Sequence, residues 1–201
     1  MIRKIGIYGG TFSPPHLGHV NAAEAFVREV DIDELLIMPD YLPPHKATLG
    51  VASPVDRVEM CKLAFGHIAA ATVSDMEIKR GGKSYTAVTL TELASPEREL
   101  YFLCGTDMLL TLDRWYDFKT IFNLATICYV RREMDAALDL QIEEKISEYE
   151  EKYSARIVKI PLNVIEVSST DLRCAVSGDD EEHPLLPEKV YRYVKEKGLY
   201  K

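Results

Sequence analysis

The sequence predicts an α/β fold, a doubly wound and mainly parallel sheet with helices on both faces. Two observations carry this: short β-rich runs alternate with longer helical patterns along the 201 residues, and the connections between them are short.

The elements follow in order. The first strand is the apolar run KIGIY at 4–8, ended by a glycine pair. Val20, Ala23, Val27 and Val30 recur at helical spacing and set a helix over 17–30. ELLIMP, 34–39, is a β-rich run stopped by its proline, and the helix at 54–66 opens on Pro54 and closes on Gly66. ATVSDMEI, 71–78, reads as the third strand and YTAVTLTELA, 85–94, as a helix. The apolar runs at 99–104 and 125–130 have strand length. A charged helical pattern covers 136–153, the last strand lies at 156–161, and helices at 170–176 and 187–197 close the chain. A Rossmann-like sheet of this kind binds ligands outside the carboxyl ends of its strands, where the strand order reverses. The expectation is one domain over 1–201.

Net charge is −8 and the pI about 5.2. A dense Lys/Arg surface is therefore absent, which argues against a nucleic-acid partner and against binding to an anionic membrane. Cys61, Cys104, Cys128 and Cys174 show no CxxC pair and sit among apolar neighbours, so all four are expected as buried free thiols. The apolar run at the N-terminus is too short for a signal peptide, and no segment has the length of a membrane span. A cytoplasmic location is the expectation. The mixed charges of 143–153 read as a solvated helix face and the acidic run of 179–183 as a loop.

The turn after the first strand, GGTFSPPHLGH at 9–19, is the first place to look for chemistry. Gly9 and Gly10 let backbone N–H groups approach an anion, and Pro14 and Pro15 stiffen the path into the helix. His16 and His19, three residues apart around Gly18, are expected to aim both rings at one point beyond the helix start, where open amides add positive potential. A polyphosphate suits such a pocket. A zinc site would want a third ligand nearby, and the neighbouring sequence offers none. GIYGG lacks the GxGxxG fingerprint, and a P-loop ending at 82–84 fails because position 77 is Glu77.

Gly9-Gly10-Thr11-Phe12 with His16-Leu17-Gly18-His19 resembles the GGTF and HxGH motif of the nucleotidyltransferase superfamily. The stretch from Val167 to Arg173, VSSTDLR, resembles its second motif, ISSTxIR: Ser168, Ser169 and Thr170 suit a helix cap and a second anion site, and Arg173 sits one turn in. Within the superfamily, YLPPHK, RGGKSYTAVTL, CGTDMLLTLDRWYD and LPEKVYRYVKEKGLY resemble the bacterial nicotinate-nucleotide adenylyltransferases, over most of the chain. The family commonly has Asp where this chain has Ser13.

The resemblance implies adenylyl transfer from ATP, with Mg²⁺, to nicotinate mononucleotide, giving deamido-NAD and pyrophosphate in NAD biosynthesis. It implies His16, His19, Lys46 and Arg173 as the catalytic groups. ATP would contact Gly9, Gly10, Thr11, Phe12, Gly18, His19, Gly105, Asp107, Ser168, Ser169, Thr170 and Arg173. The mononucleotide would contact Thr11, Lys46, Ser84, Tyr85, Thr86, Trp115 and Tyr116. No dedicated protein ligand for the metal is indicated, and a homo-oligomer is compatible with the sequence. Alternatives are an adenylyltransferase acting on nicotinamide mononucleotide or phosphopantetheine, and a non-catalytic nucleotide-binding protein.

Overall fold

The structure is a computed structural model that describes residues 2–43, 50–131, 137–176 and 183–201. Six strands, β1 (Arg3–Gly10), β2 (Glu34–Pro39), β3 (Ala71–Val73), β4 (Arg98–Gly105), β5 (Ala125–Val130) and β6 (Ile157–Ile160), form one sheet in the order β3-β2-β1-β4-β5-β6. Every pairing is parallel. The chain winds outward from β1 through β2 to β3, then returns to lay β4 on the other side of β1. The switch point therefore lies between the carboxyl ends of β1 and β4, at Gly10 and Gly105.

Helices cover both faces, as a parallel sheet requires. They are α1 (Leu17–Val30), α2 (Pro54–Phe65), α3 (Met76–Arg80), α4 (Thr86–Leu93), α5 (Thr106–Leu109), α6 (Phe118–Leu124), α7 (Ala137–Tyr153), α8 (Ser169–Ala175) and α9 (Glu188–Lys197), with a 3₁₀ turn at Leu112–Arg114. Alternation along the strands sorts side chains into two cores. Tyr8, Leu103, Cys128 and Val130 meet α1, α2 and α9 through Phe26, Met60, Phe65 and Val190. Ile5, Ile7, Phe102 and Ile127 meet α4, α6 and α7 through Leu90, Phe122 and Tyr149. Gly6 lets α1 lie close to β1: a Cβ there would stand 2.9 Å from the Phe26 ring.

Two expectations need correction. The strand at 71–78 stops at Val73, because Ser74 turns the chain, its Oγ accepting the Met76 N–H, and α3 begins. Cys174 is exposed, while Cys61, Cys104 and Cys128 are buried; α8 shows core only its Leu172 side.

Candidate active site

The turn at the end of β1 is built from below. Phe12 adopts a left-handed backbone (φ 48°) and drops its ring into the core, edge-on to Tyr8, His19 and Phe65 with centroids 5.4, 5.1 and 5.7 Å away. A Cβ on Gly10 would meet that ring at 3.0 Å, so the glycine is needed for close approach. Phe12 can offer a ligand its backbone only, since the side chain is buried.

His16 caps α1, and the two histidines hold each other. The His19 N–H donates to His16 Nδ1 at 3.3 Å and the His16 N–H donates to His19 Nδ1 at 3.2 Å, with the rings stacked 3.6 Å apart. The ring planes are 29° apart, so the two imidazoles lie face to face at the start of α1. Because each Nδ1 accepts a backbone proton, the neutral rings carry their own protons on Nε2, which makes both of them donors.

The site also contains a buried ion pair. Arg57, 2% exposed, comes from α2 and donates Nη1 to the Thr11 carbonyl (2.9 Å) and to Asp40 Oδ1 (3.2 Å), and Nη2 to the Asp40 carbonyl (2.6 Å). Thr11 Oγ1 donates to Asp40 Oδ2 at 2.8 Å. The Thr11 hydroxyl proton is thereby taken, so toward a phosphate Thr11 offers its amide.

Residues 168–173 dock on this turn. Ser169 Oγ donates to the Pro14 carbonyl (3.0 Å), and Arg173 Nη1 donates to the Ser13 carbonyl (2.9 Å) and to the Ser169 carbonyl (3.2 Å), while Nη2 reaches Thr170 Oγ1 (3.2 Å). Val167 packs so closely on Gly18 that a Cβ there would stand 2.9 Å from it. The expected anion site at the start of α8 is changed in one respect. Ser168 Oγ accepts the Asp171 N–H (3.1 Å) and donates to Asp171 Oδ2 (2.7 Å), so the helix carries its own anion in its first turn. Arg173 is the cationic side chain this segment sets against the turn.

Beside the turn is a slot lined by His16, Gly18 and Ala22 of α1, Val130 and Arg131 at the end of β5, and Ile165 and Val167. Asn21 Nδ2 closes one side by donating to the Asn163 carbonyl at 2.7 Å. Gly105 pairs in register with Val130 next to this slot, and Asp107 is exposed in the first turn of α5.

Across the switch point, Ser84 is pinned between β2 and α4: its Oγ accepts the Tyr41 N–H (2.8 Å) and its N–H donates to the Leu42 carbonyl (3.0 Å). Tyr85 caps α4 and Thr86 opens it. Tyr85 and Tyr116 lie ring to ring at 4.5 Å, tilted by 32°, with Tyr116 57% exposed. Trp115 is half-buried, edge-on to Phe102 at 6.2 Å. Beneath them Glu77 is buried and accepts the Thr89 hydroxyl. Burial raises its carboxyl above the ordinary range, against the pull of hydrogen bonds from Thr89 and Ser84 and of Arg80. His45 and Lys46 lie outside the described residues, as does the acidic run 179–182.

Arg57 and Asp40 were absent from the sequence reading. Arg57 shares one helical stripe with Met60, Cys61 and Ala64, all buried. A charged residue on an apolar stripe is the signal that could have revealed it.

This geometry can be set beside known proteins. The family description Cytidylyltransferase-like matches residues 7–175. A Listeria monocytogenes chain named "Probable nicotinate-nucleotide adenylyltransferase" is 35% identical over 204 residues, which cover 100% of this chain and 98% of that one. The chain belongs to the nicotinate-nucleotide adenylyltransferases, within the cytidylyltransferase-like family. A Caldicellulosiruptor saccharolyticus relative of the same name is 34% identical over 198 residues, covering 98% of this chain and 99% of its own. The fold of the family is also that of a solved structure, the Plasmodium falciparum nicotinic acid mononucleotide adenylyltransferase complexed with NaAD. Its TM-score is 0.77 at 17% identity, over 98% of this chain and 97% of that one.

Proposed function

We propose that this chain transfers the adenylyl group of ATP to nicotinate mononucleotide, releasing pyrophosphate and forming deamido-NAD, as its family names state. The observation that carries this reading is the clamp of residues 168–173 onto the turn of 9–19, which ties Arg173 to the Ser13 carbonyl and Ser169 to the Pro14 carbonyl, just before the histidine pair.

An oxygen of the mononucleotide phosphate attacks the α-phosphorus in line; the new P–O bond forms as the bond to the β-phosphate oxygen breaks, and pyrophosphate leaves. The attacking phosphate is already anionic near neutral pH, so no strong base is required, and catalysis is alignment plus stabilisation of developing charge. His19 Nε2–H serves the α-phosphate and His16 Nε2–H the pyrophosphate side. Arg173 and Lys46 add fixed positive charge, and the amides of Gly9, Gly10 and Thr11 seat the phosphates. Gly105 and Asp107 take the ribose of ATP. Thr86 at the start of α4, with Trp115 and Tyr116, takes the nicotinate ring and its carboxylate.

A divalent cation, Mg²⁺, would neutralise charge on the triphosphate. That cation would be held mostly by ATP oxygens and water. Among the described residues no group of three or more His, Cys, Asp or Glu could hold a metal. Among the described residues no helix is long and apolar enough to cross a membrane. One domain over 1–201 is supported by all six strands joining a single sheet.

The test is pyrophosphate release with ATP and Mg²⁺, run in parallel with nicotinate mononucleotide, nicotinamide mononucleotide and phosphopantetheine. Fast release with the first acceptor supports the reading. Preference for another acceptor, or nucleotide binding without release, overturns it.

A further inference from the structure

The C-terminus returns to the proposed site. After α9, Gly198 (φ 61°) and Tyr200 (φ 65°) both take left-handed backbone, and the chain folds back. That reversal sets the Tyr200 phenol oxygen 2.9 Å from Ser13 Oγ, in the turn that carries Thr11 and His16. Ser13 is 1% exposed and joins three other parts of the chain. Its Oγ accepts the Ala52 N–H at 3.0 Å, its carbonyl accepts Arg173, and its hydroxyl meets Tyr200.

Ala52 donates to Ser13 Oγ, and the Ser13 and Tyr200 hydroxyls share a hydrogen bond in which either can be the donor, with Met60 Sδ 4.0 Å from the Tyr200 oxygen. Burial raises the Tyr200 phenol to about 12, so it keeps its proton across the working range and can serve this bond as donor or acceptor.

We infer that Tyr200 is a positioning residue for adenylyl transfer, acting through Ser13 to hold the 11–16 turn in register with Arg173 and with the backbone at Ala52. This rests on the adenylyl-transfer reading above. Tyr193, on α9, supplies a matched comparison. Its hydroxyl makes a bond of the same length, 2.9 Å, to Asp56 Oδ1 at the start of α2 and makes no contact with Ser13.

The experiment compares the full chain with Tyr200→Phe, Ser13→Ala, the double variant and Tyr193→Phe, measuring kcat and KM for pyrophosphate release together with thermal midpoints. Tyr200→Phe should lower kcat about tenfold at near-normal KM for the mononucleotide, since a small misplacement of the turn acts on alignment. Ser13→Ala should match it, and the double variant should be no slower than Ser13→Ala alone. Tyr193→Phe should lower the midpoint and leave kcat within about twofold. Should Tyr200→Phe fail to fold, Ser13→Ala breaks the same bond from the other side and must show the kcat loss. Wild-type kcat in a folded Tyr200→Phe or Ser13→Ala protein, or equal kcat losses in Tyr200→Phe and Tyr193→Phe, overturns the inference and leaves the adenylyl-transfer reading standing. A wild-type chain that releases no pyrophosphate removes both.

Discussion

Substituting Gly18 by Ala perturbs the contact between the two motifs most directly. The added Cβ would lie 2.9 Å from Val167 Cγ1 and 3.1 Å from His16 Nδ1. Non-bonded carbon atoms prefer about 3.5–4.0 Å, so Val167 and the start of α1 must separate by roughly 0.6–1 Å. Overpacking of this kind costs about 1–3 kcal/mol, and the better helix propensity of Ala offsets up to about 1 kcal/mol of it. The variant should therefore fold, destabilised by about 0–3 kcal/mol on those two figures. Function should suffer far more. Val167 leads directly into Ser168 and the Arg173 clamp, and a displacement near 1 Å costs on the order of 10²-fold in rate. Urea unfolding gives the stability, and pyrophosphate release at saturating ATP and nicotinate mononucleotide gives kcat. A folded Gly18→Ala protein with kcat within about threefold of wild type would refute the coupling, given the displacement expected.

Two further predictions follow from the buried charges. Arg57→Ala leaves the Asp40 carboxylate buried and without its guanidinium, and should cost about 3–5 kcal/mol in urea unfolding, with Asp40→Asn in the same chain recovering part of the loss. Glu77 has its folded-state pKa raised, so its contribution is fully present below the unfolded value near 4.5 and is lost as pH rises through the folded value. Glu77→Gln removes that loss: relative to wild type, its stability should improve as pH climbs from 4 toward 7, and a pH-independent difference between the two would contradict the burial penalty.

The sheet was legible because parallel strands buried on both faces are nearly continuous apolar runs, as at β2 and β5. Helices of ten residues or more were legible from their period. α3 and α5 were not, since five and four residues give a 3.6-residue period too little length to show, nor was α6, whereas α8 of the same seven residues was marked by its Ser-Ser-Thr cap. The motifs at 9–19 and 167–173 were legible from residue type and resemblance, and the structure brings them into contact. Hidden from sequence were the relations that need three dimensions. Reciprocal capping by His16 and His19 depends on rotamers that a helical wheel does not contain. The Asp40–Arg57 pair joins the residue after β2 to α2, and the Ser13–Tyr200 bond joins residues 187 apart in the chain.

The claim beneath this account is that the β1 turn and residues 168–173 serve one triphosphate. A double-mutant cycle on single-turnover pyrophosphate release, with His19→Ala, Arg173→Ala and both together, tests it most directly. Groups acting on one transition state should couple by about 1–3 kcal/mol, with each single variant slowed by orders of magnitude and the double variant far faster than the product of the two losses. Losses that add within about 0.5 kcal/mol would contradict it, because independent sites add.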